Sequence, residues 1–164
     1  MKYQVDINEN NDNIGLVIMI PGVLGYGDET HMVSLSTELT DLGYRVVRFT
    51  PECLSKDEDG TLSNYSQTNI YNEMKLILES YYINTSFDKT AVIPIGFSAG
   101  GPIAIKYASE NPVRAVINIV SPYQVTNGDD LSEMDWSRGF ISMKSSLLGN
   151  VELPESYRVD SKNF

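Results

Sequence analysis

The sequence contains very few of the side chains that build disulfides or metal sites. Its 164 residues include one cysteine, Cys53, and one histidine, His31. A single cysteine excludes an internal disulfide, and without a Cys/His cluster the sequence gives no indication of a metal site. Cys53 is interpreted as a small residue in the loop that follows a strand. Nothing in the sequence implies a cofactor, and none is expected.

Basic residues are scarce as well. The chain has 12 Lys and Arg against 22 Asp and Glu, which gives a net charge of −10. An acidic chain without a basic cluster argues against nucleic acid and against electrostatic binding to anionic lipid. The longest N-terminal apolar run, Ile14–Ile20, is far too short to span a membrane, and the acidic residues before it do not fit a signal peptide. We therefore expect a soluble, cytoplasmic protein.

The sequence does contain an alternation of short apolar runs and amphipathic segments. Apolar residues make up 41% of the chain, as in an ordinary globular domain. The alternation predicts an α/β fold with a mostly parallel sheet and helices on both faces. The predicted strands are Tyr3–Ile7, Ile14–Ile20, Tyr44–Phe49, Ala91–Ile95 and Arg114–Val120. Of these, Ile14–Ile20 and Arg114–Val120 are predicted to be buried. The predicted helices are Thr30–Leu42, Ser66–Tyr82 and Gly100–Asn111.

Local signals refine the ends of these elements. Asp28 or Thr30 is expected to cap the first helix, and Gly43 to end it. The buried face of that helix is predicted to carry Met32, Leu35, Leu39 and Leu42. After Tyr123 the pattern weakens: we expect a turn at Asn127–Asp130, one or two short helices within Met134–Leu148, and no regular structure over Val151–Phe164.

The most informative segment is Gly96-Phe97-Ser98-Ala99-Gly100, between a predicted strand and a predicted helix. A G-x-S-x-G turn in this setting is typical of a nucleophile elbow, in which the serine oxygen is exposed on a strained turn. Gly96 and Gly100 are required because a Cβ at either place would collide with the neighbouring strand or helix. The alternatives are a helix-capping serine in a glycine-rich turn, and a phosphate-binding loop that lacks the expected glycine and lysine spacing.

Acyl transfer by a serine also needs hydrogen-bond donors for the developing oxyanion. The N–H of Ala99, directly after the serine, is one expected donor. The second is expected from the loop after strand Ile14–Ile20, which points to Val23 or Leu24. An ordinary strand-to-helix loop is the alternative interpretation of that segment.

The base and the acid that such a serine needs cannot be assigned from the sequence. His31 precedes the serine, whereas the partners in this kind of hydrolase follow it in the order Ser, Asp/Glu, His. His31 is therefore interpreted as a surface or helix-end residue. Asp129 and Asp130 lie where an orienting carboxylate could be, but a solvated acidic turn is the favoured interpretation.

The order of these motifs resembles the α/β-hydrolase fold superfamily over residues 14–125. More narrowly, it resembles α/β-hydrolase family 4, the branch that holds embryogenesis-associated proteins, medium-chain esterases and acylglycerol lipases. The narrower resemblance rests on the glycine-rich loop Pro21–Asp28, on Ser121-Pro122-Tyr123 and on Trp136–Phe140.

This resemblance implies that Ser98 is the nucleophile of a carboxylic ester hydrolase, with Ala99 and either Val23 or Leu24 lining the oxyanion hole. The implied substrate is a small ester or an acyl lipid. Residues 1–125 would form the N-terminal part of the hydrolase core, and residues 126–164 the start of an incomplete cap. A non-catalytic binding protein, or a thioesterase, acyltransferase or peptidase on the same fold, stays open.

The resemblance also bears on the length of the chain, because members of the family continue into two further strands, an acid and a histidine. We therefore expect these 164 residues to be a fragment or a truncated relative, and to be essentially inactive alone. An open sheet edge would then invite self-association.

Overall fold

The computed structural model describes residues 3–9, 14–85, 88, 91–121 and 135–164. In chain order its elements are β1 (Tyr3–Asp6), β2 (Gly15–Ile20), α1 (Thr30–Asp41), β3 (Tyr44–Phe49), α2 (Gln67–Thr85), β4 (Val92–Phe97), α3 (Gly100–Glu110), β5 (Ile117–Ile119), β6 (Phe140–Ser145), β7 (Gly149–Pro154) and α4 (Glu155–Ser161). A five-stranded sheet has the order β1-β3-β2-β4-β5, and β6 and β7 form a separate hairpin.

The sheet is parallel apart from its first strand. β2 pairs in parallel with β3 and β4, and β4 pairs in parallel with β5, whereas β1 is antiparallel to β3. All six residues of β2 are buried, because a strand in the middle of such a sheet is covered on both faces. The predicted α/β fold with a mostly parallel sheet is confirmed.

Helices cover both faces of the sheet. Met32 of α1 packs with Val17 and Met19 of β2 on one face, while Ile103 of α3 belongs with Leu16 to the core on the other face. Neighbouring β2 residues thus serve opposite faces, as the two-residue period of a strand requires. Within the described residues, no helix is long and apolar enough to cross a bilayer.

The start of α1 differs from the prediction. Its N-cap is Glu29, which makes no side-chain capping bond, so neither Asp28 nor Thr30 caps this helix. The carboxylate of Asp28 instead accepts a hydrogen bond from Arg48 at 2.9 Å. The Arg48 guanidinium is buried, and a buried donor group needs an acceptor for its N–H groups.

The other end of α1 is predicted in part. Gly43 has a φ of 96° and ends the helix as expected. Leu42, however, is 67% exposed and not part of the buried face. It is the C-cap residue, and the buried residues of α1 are Met32, Ser36 and Thr40.

The predicted buried strand Arg114–Val120 is shorter and more exposed than expected. β5 covers Ile117–Ile119, and Ile117 is 42% exposed. In the part of the chain that the structure describes, β5 has β4 as its neighbour on one side and lies at the sheet edge. The prediction of a strand in this apolar run is confirmed, but the prediction that it is buried is wrong. Burial depends on other elements that cover the strand, and the apolar run alone does not reveal them.

The C-terminal prediction is wrong where the structure describes it. Residues 140–145 are a strand and not a helix, and residues 149–161 form a strand and a helix instead of an irregular tail. Ile141 on β6 and Val151 and Leu153 on β7 are buried in the main core. Their two-residue spacing is that of strands. In so short a segment, however, this spacing is hard to distinguish from helical periodicity in the sequence. The predicted turn at Asn127–Asp130 lies outside the described residues.

The hairpin packs on the segment that precedes α2, and α4 packs on the start of α2. The Leu62 N–H donates to the Glu152 carbonyl at 3.0 Å, and the Thr68 N–H donates to the Asp160 carboxylate at 2.9 Å. Residues 136–164 therefore share the core of the sheet instead of forming a separate layer. Their assignment to the start of a cap stays a prediction.

Candidate active site

Three non-glycine residues in the described part have left-handed backbones, and all three lie on the side of the sheet where the parallel strands end. Leu24, Ser98 and Val120 have φ values of 57°, 48° and 49°. They follow the carboxyl ends of β2, β4 and β5, which are neighbours in the sheet. Such conformations cost about 1–3 kcal/mol each and cluster at functional sites. Open α/β sheets also bind their ligands on this side, which makes it the candidate active site.

Ser98 lies in the turn between β4 and α3, and its side chain is exposed. Its N–H donates to the Ile119 carbonyl at 3.0 Å, and its carbonyl accepts from the Gly101 N–H at 2.9 Å. These two bonds hold the turn between the neighbouring strand and the following helix. The strained backbone expected of an elbow serine is present.

Two glycines allow α3 to start this close to the sheet. A Cβ on Gly96 would lie 2.4 Å from the Gly100 carbonyl oxygen, and a Cβ on Gly100 would lie 2.5 Å from the Ile20 carbonyl oxygen. Both distances are shorter than any normal contact, and both partners are backbone atoms. A side chain on Gly96 would therefore push the start of α3 away from β4, and one on Gly100 would push it away from the end of β2.

The loop after β2 reaches the serine. A Cβ built on Gly22 would lie 3.2 Å from Ser98 Cβ and 3.8 Å from Ser98 Oγ. The Gly25 N–H donates to the Gly22 carbonyl at 3.0 Å, which closes a four-residue turn. Leu24, with its positive φ, occupies the third position of this turn, as in a type II turn. Leucine is an unfavourable residue there, so the turn needs further support.

The N–H groups around Ser98 are not equivalent. The Leu24 N–H donates to the Tyr65 hydroxyl at 2.7 Å. By contrast, the N–H groups of Val23 and Ala99 have no hydrogen-bond partner among the described residues. Ala99 is the N-cap of α3, and the N–H groups at a helix start favour a negative charge. Ala99 directly follows Ser98, and Val23 follows the glycine whose backbone approaches Ser98, so their N–H groups are the candidate oxyanion donors.

Tyr65 and Gln67 belong to the site's support and were not found from the sequence. Both are buried, and Gln67 Nε2 donates to the Ala99 carbonyl at 3.4 Å. They lie where an irregular loop passes into α2, in a stretch without hydrophobic periodicity. A buried tyrosine needs a partner for its hydroxyl, but only the tertiary structure identifies which tyrosine is buried here.

Cys53 carries the thiol of the chain, a second possible nucleophile, and its environment suppresses its reactivity. Its side chain is buried. Burial is the main reason that its pKa rises to about 11. Because the thiolate and not the thiol is reactive, Cys53 is inert at neutral pH.

His31 lies at the start of α1, where its side chain is 54% exposed. Its ring packs edge-on against Phe97 at 5.0 Å between centroids, and Nε2 lies 3.7 Å from Glu29 Oε2. This matches the predicted surface or helix-end position. Asp129 and Asp130, the sequence candidates for an orienting acid, lie outside the described residues. No group of three metal-ligating side chains occurs in the described ranges.

No protein-family model and no curated protein matches the chain, but solved structures do. An α/β serine hydrolase homologue from Coxiella burnetii is 22% identical with a TM-score of 0.61, over 73% of this chain and 57% of that one. Est1E from Butyrivibrio proteoclasticus, with ferulic acid bound, is 15% identical with a TM-score of 0.75, over 99% and 67%. A putative dienelactone hydrolase from Klebsiella pneumoniae is 16% identical with a TM-score of 0.58, over 78% and 58%.

These similarities show that the chain has the α/β-hydrolase fold. Identities of 15% to 22% carry the fold, whereas activity has to be argued from the site. The chain spans 57% to 67% of the lengths of these three structures. The narrower resemblance to family 4 stays a prediction.

Proposed function

We propose that the protein is a serine hydrolase of carboxylic esters, small esters or acyl lipids, with Ser98 as its nucleophile. The observation that carries this proposal is the exposed, left-handed serine at the end of β4. The strained backbone exposes the hydroxyl for attack on a carbonyl carbon, and the unpaired N–H groups of Val23 and Ala99 can donate to the oxyanion that forms. A helix-capping serine would need neither the strain nor the exposure.

The chemistry follows from these groups. Ser98 Oγ attacks the ester carbonyl carbon, and the carbonyl oxygen becomes an oxyanion held by the N–H groups of Ala99 and Val23. Val23 is preferred to Leu24 because the Leu24 N–H already donates to Tyr65. The alcohol leaves with a proton and an acyl-serine remains. Water then attacks the acyl carbon, which releases the carboxylic acid and restores the hydroxyl.

A serine hydroxyl is a weak nucleophile unless a base accepts its proton. His31, the single histidine of the sequence, lies on α1 and contacts Glu29 at the start of that helix and Phe97 at the end of β4. The family resemblance implies that a histidine accepts this proton, and His31 is the candidate within these 164 residues. The assays therefore compare residues 1–164 with the product of the complete natural reading frame.

Two of the similar structures support the substrate class. One holds ferulic acid, a carboxylic acid, and another is a putative dienelactone hydrolase, dienelactone being a cyclic ester. Ferulic acid and dienelactone both contain an acyl group of the kind that the proposed reaction transfers to water.

The decisive variant is Ser98→Ala. We expect it to lower kcat for p-nitrophenyl butyrate by about 10³-fold or more, because covalent catalysis passes through this oxygen. After reaction with a fluorophosphonate, peptide mass spectrometry should find the adduct on Ser98 in the wild type. The variant should carry no adduct.

The matched control is Ser109→Ala. Ser109 is an exposed serine on α3 that donates to its own helix, so its loss should leave labelling and turnover unchanged. Undiminished ester turnover by Ser98→Ala would reject Ser98 as the nucleophile. If the complete protein is neither labelled nor active but binds an ester in the same cleft, the non-catalytic interpretation replaces this one.

A further inference from the structure

We propose that Tyr65 is a positioning residue that sets the oxyanion loop, defined here as Pro21–Gly27. By holding the Leu24 N–H, it leaves the Val23 N–H as the donor that faces the reaction. This inference rests on the proposed function, since it names the part of the molecule that keeps the oxyanion hole in shape.

The hydroxyl of Tyr65 spans the strained turn of the loop. It accepts the Leu24 N–H at 2.7 Å and lies 3.4 Å from the Gly22 carbonyl, to which it donates. The same carbonyl closes the turn by accepting from Gly25. One hydroxyl therefore contacts both the left-handed leucine and the glycine whose backbone approaches Ser98. Without it, the Leu24 N–H would be buried without a partner, which the turn could relieve only by changing shape.

Tyr65 is itself held firmly. Its side chain is 1% exposed, and its ring stacks on Tyr157 of α4 at 5.2 Å between centroids. Burial also raises the pKa of the hydroxyl well above its usual value, so it stays able to both donate and accept. The hydroxyl thus meets the loop from a rigid support that the hairpin and α4 help to build.

The same segment also contacts the other oxyanion donor. Gln67, two residues after Tyr65 and fully buried, donates through Nε2 to the carbonyl of Ala99. Ala99 supplies the second proposed donor N–H. The stretch from Tyr65 to Gln67 therefore touches both halves of the oxyanion hole and fixes their separation, although neither side chain needs to touch a substrate.

The test uses Tyr65→Phe in the product of the complete reading frame. This variant keeps the stacked ring and removes only the hydroxyl. The matched control is Tyr81→Phe, which also removes a buried tyrosine hydroxyl, one that accepts from Arg45 at 3.0 Å near the amino end of β3. Each variant loses the hydrogen bonds of one buried tyrosine hydroxyl, but only the bonds of Tyr65 are at the loop.

We expect Tyr65→Phe to lower kcat for p-nitrophenyl butyrate about tenfold with little change in KM, because a displaced donor acts in the transition state. Inhibition by a trifluoromethyl ketone, whose adduct carries the oxyanion, should weaken by the same factor. Tyr81→Phe should reduce the melting temperature but leave both quantities unchanged. Equal kinetic effects of the two variants, or an unchanged kcat in Tyr65→Phe, would overturn the proposal.

Hydrogen–deuterium exchange separates this inference from the proposed function. The Leu24 amide should exchange slowly in the wild type and in Tyr81→Phe, and much faster in Tyr65→Phe. If Ser98 is never labelled in the wild type, the hydrolase proposal fails, and faster exchange in Tyr65→Phe alone still supports the role of Tyr65 in the loop. Unchanged exchange of Leu24 in Tyr65→Phe would refute that role whatever the activity.

Discussion

At the scale of single residues, the candidate site depends on the absence of a side chain at Gly96. Gly96 has no room for a side chain, because a Cβ there would lie 2.4 Å from the Gly100 carbonyl oxygen and 2.5 Å from Gly101 Cα. We expect Gly96→Ala to lower the free energy of unfolding by about 3 kcal/mol, at the upper end of the cost of overpacking. It should also abolish phosphonate labelling of Ser98, since the turn that carries the serine has to move. Denaturant titration and labelling of the same preparation measure both effects.

Gly60→Ala provides the comparison for this variant. Gly60 has a φ of 89° and open space around the position of a Cβ, so alanine there bears only the left-handed penalty of about 1–2 kcal/mol. Its phosphonate labelling should equal that of the wild type. If Gly96→Ala is no more destabilising than Gly60→Ala and labels normally, the close approach of α3 to β4 is not a requirement of the site.

The residues of the site differ in how far the sequence predicts them. Ser98 and its glycines were predictable because an elbow is a local motif whose strand, turn and helix follow one another along the chain. Tyr65 was not, because its role depends on meeting Leu24 across 41 positions of sequence. The sequence left Val23 and Leu24 as equal candidates, and only this long-range hydrogen bond distinguishes them.

At the scale of elements, Arg48 fastens β1 and the loop after β2 to β3. Its Nε donates to Asp6 at 2.6 Å, Nη1 to the Gly27 carbonyl at 2.5 Å and to Asp28 at 2.9 Å, and Nη2 to Gln4 at 2.7 Å. A further bond from Nη2 to Asp6 at 3.3 Å uses the remaining donor. Arg48 therefore has no donor left for a ligand, and its role is to join three parts of the sheet.

We expect Arg48→Lys to lower the free energy of unfolding by about 2–3 kcal/mol, because lysine has three donors on a point charge and cannot reproduce this geometry. Burial alone would raise the pKa of Asp6, but its hydrogen bonds with Arg48 and Ser36 outweigh burial and lower it. The stability that this carboxylate contributes is thus present at neutral pH and lost as the pH falls below about 4, through the folded-state pKa. Denaturant titrations at pH 7 and pH 3 should show a smaller difference in Arg48→Lys.

Arg114→Lys is the control for the loss of a guanidinium. Arg114 is exposed and donates through Nη1 to the Ile14 carbonyl at 2.8 Å, so its replacement should change the free energy of unfolding by less than about 1 kcal/mol. An effect of Arg48→Lys as small as this would show that the network around Asp6 adds little to stability.

The elements themselves were predictable where apolar periodicity was long. α2 buries Ile70, Met74, Ile77, Leu78 and Tyr81 as its spacing predicts. The β6–β7 hairpin was missed because each strand offers only a few inward positions, too few to distinguish a strand from a helix. Gly139 and Gly149, with φ values of 78° and 73°, border β6 and begin β7, and they were the available signal for turns there.

At the scale of the whole molecule, the surface of β5 sets the expected behaviour in solution. Ile117 is 42% exposed, Val116 41% and Val120 90%, and in the described sheet β5 pairs on one side with β4. An apolar edge strand with unpaired backbone groups is a template for another chain. We therefore expect residues 1–164 to self-associate as their concentration rises.

Charge opposes this association and gives it a recognisable signature. The net charge of −10 makes two copies repel each other at low ionic strength, and salt screens that repulsion over a Debye length of about 10 Å at 0.1 M. Sedimentation velocity should show more dimer or higher species in 0.5 M than in 0.02 M NaCl. Ile117→Lys should shift the equilibrium to monomer, because a charge on an edge strand resists pairing. Leu76→Lys, at a residue 53% exposed on α2, should associate like the wild type. If the chain stays monomeric at every concentration and salt, β5 does not mediate self-association. The same conclusion follows if Leu76→Lys reduces self-association as much as Ile117→Lys does.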